Sequence, residues 1–234
     1  LALALVVGKR FGFAKGMHAP HSVPLVLIGA AFLWFGWFGF NAGSELAADG
    51  TASLAFINTG VAGMGGLISW SIYDKFAQGK PTAVGSVSGA VAGMVAITPS
   101  CAFLTPIWAL ALGLVVGVIC GYAIELKYIL GFDDSLDVVG IHLVAGVVGT
   151  LWIGLFGTDV GAVLGFGADQ LGKQALGVLV VGVYAFAVSW IIGKVLQLTI
   201  GFRITSTDEI AGIDSVVHGE TAYDRADPRW TWRG

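Results

Sequence analysis

Apolar stretches of about 20 residues recur along this chain, each separated from the next by a short polar or Gly/Pro-containing connection. A hydrocarbon core of about 30 Å needs a helix of that length to cross it. Six stretches fit: Ser22 to Asn41, Thr51 to Tyr73, Thr82 to Thr98, Pro106 to Ile124, Leu136 to Phe156 and Gln174 to Ile200. Their connections leave no room for a soluble domain between spans. Only 12% of the residues are charged and 56% are hydrophobic, whereas ordinary soluble domains carry about 25% charged residues. The expected fold is therefore all-α, a polytopic transmembrane helix bundle filling residues 1–202, with a tail over residues 203–234.

The sequence begins on LALALVVGKR, with no Met, basic n-region or small-residue cleavage site, so this stretch does not read as a signal peptide. Its seven apolar residues before Gly8, Lys9 and Arg10 read as the last two turns of a helix begun upstream, and the expectation is a piece of a longer chain. Positive charges set orientation. Lys9, Arg10 and Lys15 precede the first full span, Lys75 and Lys80 follow the second, Lys127 follows the fourth and Arg203 the sixth. The alternate connections hold Lys173 among Glu45, Asp49, Asp159 and Asp169. That asymmetry places the tail in the cytoplasm and the GFNAGSE and TPSCAFLTP connections outside.

Glycine supplies 36 residues, about twice its average share. Gly85, Gly89 and Gly93 fall four apart, as do Gly113, Gly117 and Gly121. Such a ladder strips one helix face of side chains and lets a neighbouring helix approach closely, so its role is packing. Cys101 and Cys120 form no CxxC pair and have no nearby His set, so neither a metal nor a disulfide is indicated.

Three polar or aromatic features remain. His142 lies inside an apolar run; in a soluble protein it would read as a satisfied core histidine, but in a span an ionisable ring is expected to face a bundle interior or an aqueous path. Neutral imidazole both donates and accepts, which suits a narrow pore for a small polar solute. Asp134 and Asp137 stand at the start of the same helix, where carboxylates favour the positive dipole end. Asp134 or Ser135 is placed to cap that helix and Asp137 to join an internal network, with neither expected to be a catalytic acid. Finally, FLWFGWFGFNAGS puts Trp37, Phe40 and Ser44 on one helical face if the helix continues that far. The cluster reads either as an interfacial aromatic belt or as a seat of two π faces and a hydroxyl for a small cation.

The motifs GWFGFNAGS (Gly36 to Ser44), ITPSCAF (Ile97 to Phe103), DDSLDVVGIHLVAGVVGT (Asp133 to Thr150) and the tail from Gly201 to Asp224 resemble the ammonium transporter family, Amt/Mep/Rh, and its bacterial Amt branch in particular. The resemblance implies an eleven-helix fold of two inverted five-helix repeats and a final helix, assembled as a homotrimer with one pore per subunit. This chain would run from the end of helix five through helix eleven.

Residue by residue, the resemblance implies that Trp37 and Ser44 belong to an outer ammonium-recruitment site and that Phe40 is one of two stacked gate phenylalanines. His142 would be the second of twin pore histidines, Thr98 a vestibule threonine, and Leu33 and Val138 pore-wall positions, with Asp134 and Asp137 structural at the inner end. The first repeat would supply the other histidine and phenylalanine. The implied function is transport of ammonium or ammonia through the cell membrane, with no cofactor, no enzyme activity and no nucleic-acid partner. Two alternatives remain: an ammonium sensor coupled to a PII-type signal protein through the tail, and a chain that is inactive without the first repeat.

Overall fold

The computed structural model describes residues 1–13 and 20–220. Lys15 of the charge count and the closing RADPRWTWRG lie outside them. The elements are α1 (Ala2–Val7), α2 (Val23–Ala42), α3 (Gly50–Gln78), α4 (Ala83–Ile97), α5 (Pro106–Ala123), α6 (Leu126–Leu130), α7 (Val144–Phe156), α8 (Asp169–Thr199) and α9 (Ser206–Ala211). A π-helical turn, Val139–Leu143, leads into α7.

Local signals explain where the long helices start. The Ser22 hydroxyl accepts from the Leu25 N–H at 3.4 Å, the Asp49 carboxylate from Ala52 at 3.0 Å and the Thr82 hydroxyl from Gly85 at 2.9 Å. Each cap satisfies an N–H that the helix itself leaves unpaired. Pro106 opens α5, where its missing N–H costs nothing. Gly79, at φ 80°, closes α3 in a left-handed conformation that a side chain would resist.

Among the described residues, five helical segments are long and apolar enough to cross a membrane. The span read from Thr82 to Thr98 differs: α4 has 15 residues, which rise only about 22 Å. Past Ile97 the chain turns on itself instead of continuing as helix, with Ser100 and Leu104 fully buried. Asn58 of α3 fixes this turn, its side-chain amide donating to the Cys101 and Leu104 carbonyls at 2.8 Å each. Irregular backbone is tolerated at membrane depth where such partners replace water.

The centre of the bundle is α3, α4 and α5, and the glycine ladders are what bring them together. A Cβ on Gly66 or Gly89 would collide with the other residue's carbonyl oxygen, and one on Gly93 or Gly113 would collide with that of Ala62. Gly149 of α7 lies in the same way against the Ala96 carbonyl. Side chains are absent where these helices cross, so backbones meet directly and dispersion contacts replace the hydrophobic drive that lipid cannot supply. Ala62, Ala92, Ala96, Ala109, Leu112, Val116 and Ala145 fill the remaining space with no exposed surface.

The flanking helices are attached more lightly. α2 docks through Trp34 over Gly63 and Phe38 stacked on Phe56 at 4.2 Å. α8 touches α7 where Gly154 meets Leu171, and α1 where Gly193 meets Leu3 and Val6. The connections around 9–13, 74–82, 125–137 and 203–209 gather at one end of the bundle. There Arg10 pairs with Asp133 at 3.4 Å, and Arg203 donates to the Lys9 carbonyl at 2.8 Å. At the other end the Thr158 N–H donates to the Phe103 carbonyl at 2.8 Å. Lys9, Arg10, Lys127 and Arg203 of the charge count all stand at the first of these ends.

Gly66→Ala should lower bundle stability by about 1–3 kcal/mol, because the added methyl meets backbone that cannot yield. Gly146→Ala, where a Cβ meets nothing within 4 Å, should be neutral or slightly stabilising. Thermal unfolding in detergent, followed by circular dichroism, compares the two.

Candidate functional site

One part of the site is built where α2 ends against the end of α4. The Trp37 indole N–H donates to the Thr98 hydroxyl at 2.8 Å, and that hydroxyl donates to the Met94 carbonyl at 2.8 Å. Thr98 thus has its own proton engaged and receives the tryptophan's, which locks the indole by its polar edge. The ring face remains half-buried, with the Phe40 ring edge-on to it at 6.2 Å between centroids and 82° between planes. The helix of α2 stops at Ala42, and Ser44 follows in a 3-10 turn, Gly43–Glu45. Its hydroxyl donates to the Phe40 carbonyl, which leaves the oxygen's lone pairs free to accept. Leu33 lies one turn before Trp37, so Leu33, Trp37 and Phe40 follow one stripe of α2, while Ser44 lies past its end and joins them through its bond to the Phe40 carbonyl.

The end of α2 is held by amides. Asn41, the buried residue of that helix, donates from its side chain to the Thr59 hydroxyl at 3.0 Å, and Thr59 in turn donates to the Ala55 carbonyl at 2.6 Å. Neither Asn41 nor Asn58 stood out in the sequence beside the aromatics. The available signal was an amide inside an apolar run, which must find partners there.

The other part is built on the segment before α7. The Asp134 carboxylate accepts from the Val138 N–H at 3.0 Å and from the Val139 N–H at 2.6 Å. It is the cap, while Ser135 is exposed. Asp137 has φ 59°, a left-handed conformation in which Asp is one of the better tolerated residues. Its carboxylate pairs with Lys127, whose ammonium also donates to the Asp134 carbonyl at 3.2 Å. Lys127 counted as a loop charge in the sequence, yet it is only 4% exposed and lies beneath this turn. A lysine set between Leu126 and Tyr128, ten residues before an aspartate, was the signal for it.

His142 follows on the π turn. Gly140 and Ile141 of that turn are buried, Gly140 against Ile124, whereas His142 and Val138 are exposed. Leu33 and Phe40 are exposed as well, Phe40 by 60%. The structure therefore joins Trp37, Phe40, Ser44 and Thr98 in one group and Asp134, Asp137, Val138 and His142 in another. α4 contacts the elements that carry both. Among the described residues, no three His, Cys, Asp or Glu side chains converge as a metal site would require.

Residues 1–223 match the Ammonium Transporter Family model. The chain belongs to the ammonium transporter family. An ammonium transporter of Mycobacterium bovis is 45% identical over 238 aligned residues, which cover 97% of this chain and 50% of that protein. Among solved structures, a "Sensor Amt Protein" superposes with a TM-score of 0.83 at 33% identity, covering 91% of this chain and 55% of that one. Mep2 of Candida albicans superposes with a TM-score of 0.82 at 34% identity, covering 88% and 49%. The chain spans about half the length of the relatives it matches. Family membership and five membrane-length apolar helices make it a multi-pass membrane protein.

Asp134→Ala should cost about 1–2 kcal/mol, since two helix N–H groups lose their acceptor in a partly buried place. Asp134→Asn should retain part of that stabilisation through its remaining oxygen. Denaturation midpoints of the two purified variants, measured side by side, provide the check.

Proposed function

We propose that this chain carries one wall of a pathway that moves ammonium or ammonia across the cell membrane, with its basic end and tail in the cytoplasm. What carries the reading is the lock on Trp37: its N–H is committed to Thr98, so the indole offers a π face and not a competing donor. A small cation is attracted to such a face. The Ser44 oxygen adds an acceptor, which an ion with four N–H donors can use and an apolar solute cannot.

Ammonium is the form recruited, because the cation dominates at neutral pH and only the cation gains from aromatic faces. Taking it bare past Phe40 into an apolar passage would cost many kcal/mol. The ion therefore gives up its proton near Phe40, and ammonia passes along Leu33, Val138 and His142 while the proton moves separately along His142 and the second imidazole that the resemblance implies. His142 both donates to and accepts from a neutral amine. Potassium has no proton to lose, and so is left behind. Asp134 and Asp137 take no part as acids, one being spent on capping and the other on Lys127.

Residues 1–202 form the membrane domain in this reading, and residues 203–234 the cytoplasmic tail. Pairing of Arg203 with Glu209 at 2.7 Å and the Glu209 contact with the Phe11 N–H at 2.9 Å support a tail held against the bundle. The family resemblance further implies a homotrimer and a PII-type partner at that face. A sensor role is the weaker reading, since the family model and the curated relatives are transporters and the likeness to a sensor Amt is about the same as that to Mep2.

The test is His142→Ala in the native gene product, expressed in cells without other ammonium uptake. Transport should fall by about tenfold or more, or potassium should begin to compete. Unchanged uptake together with unchanged exclusion of potassium removes His142 from the pathway.

A further inference from the structure

We infer that Lys127 is a positioning residue for His142, an inference that rests on the pathway proposed above. The π turn that carries His142 has no fixed place along its helix axis unless its entry is held, because a π turn is a local exception within an α-helical ladder. Three contacts hold that entry. The Asp134 carboxylate grips the Val138 and Val139 N–H groups. The Asp137 carbonyl accepts from the Ile141 N–H at 2.8 Å. Between these anchors the backbone takes the left-handed step at Asp137, a conformation open to aspartate but held in one place only when its surroundings fix it.

Lys127 imposes it. Its single ammonium reaches both ends of the four-residue turn, the Asp134 carbonyl at 3.2 Å and the Asp137 carboxylate, and so fixes the turn's span. The side chain is 5% exposed, and its third neighbour is the Tyr128 ring at 5.2 Å, so little of its charge is left to water. A lysine serving only to orient a membrane protein needs no such burial, and burying one is costly without a defined set of partners. Lys127 stands on α6, which follows the end of α5, and Gly140 of the π turn packs on Ile124 at that same end. His142 is therefore referenced to the glycine-packed core by two routes, one apolar through Gly140 and one ionic through Lys127. Loss of the ionic route lets the Asp137 step relax and shifts the ring along its helix.

The experiment uses the native gene product in cells without other ammonium uptake, with surface abundance, ammonium uptake and competition by potassium measured for each variant. Wild-type protein that fails to transport ammonium overturns the pathway itself and not the role of Lys127. With wild-type transport established, Lys127→Met should reach the membrane in normal amount but lose about tenfold or more of its uptake or its discrimination against potassium. Lys127→Arg, which keeps the charge and donors for both oxygens but adds bulk in an enclosed place, should recover part of what Lys127→Met loses. Asp137→Ala should match Lys127→Met, while Asp137→Asn, which retains an acceptor and tolerates the left-handed step, should be milder. Normal uptake and discrimination in Lys127→Met overturn the inference. So does failure of both Lys127→Met and Asp137→Ala to reach the membrane, which would make the contact one of folding alone.

Discussion

Where α3 crosses α4, a carbonyl of each helix lies against a glycine of the other, at Gly66 and Gly89, and nothing else in the bundle could be arranged as it is without that approach. Lipid gives apolar side chains no reason to prefer each other to acyl chains, so helix association has to come from contact density. Glycine provides it at the cost of some helix propensity. The same device repeats between α3 and α5 at Gly113 and between α4 and α7 at Gly149. The result is a slab of short-range backbone contacts whose parts have little freedom to shift independently. Trp37 is tied to that slab through Thr98, the residue that ends α4, and the His142 turn through Gly140 against the end of α5.

The charged residues act on a second level. In the sequence they mark sides of a membrane, and the structure uses several of them as latches as well. Arg10 with Asp133 joins the connection before α2 to that before α7, and Arg203 with Glu209 brings the tail to the Lys9–Phe11 stretch. Partly exposed pairs of this kind contribute little to stability, about 1 kcal/mol or less each. Their effect is better understood as register: each pair is satisfied in one arrangement of the connections and lost in others. Lys127 belongs to this set by chemistry and departs from it by burial.

Helix number and order were legible because a span must satisfy its own backbone and must be apolar over a fixed length, and both demands are written into every residue of the run. The glycine ladders were legible as well, as a four-residue spacing that keeps to one helix face. Less legible was anything that depends on a partner far along the chain. Thr98 stands 61 residues from Trp37, and nothing local to either announces the hydrogen bond between them. Asn58 reaches 43 and 46 residues onward to close the turn that shortens α4. Lys127 was assigned to the connection because a charge at the end of an apolar run is ordinarily solvated, and only the fold of the Asp134 to Asp137 turn over it reverses that expectation.

The proposed pathway places two different demands on these residues, recruitment and discrimination. Drawing a cation to the membrane surface needs a π face and an acceptor in contact with water, and the end of α2 offers both, with Trp37 half-buried and Ser44 exposed. Discriminating ammonium from potassium by removing a proton needs a dry enclosure, because in water either ion remains hydrated and the distinction is lost. Phe40 and His142 are exposed in this chain, so water is excluded from them only when a further surface covers the stripe from Leu33 to Phe40 and the ring on the π turn. The recruiting chemistry can therefore be local, whereas the selecting chemistry depends on what faces it. For that second task the value of a rigid wall is greatest, since an enclosure selects no better than the less precisely held of its two sides.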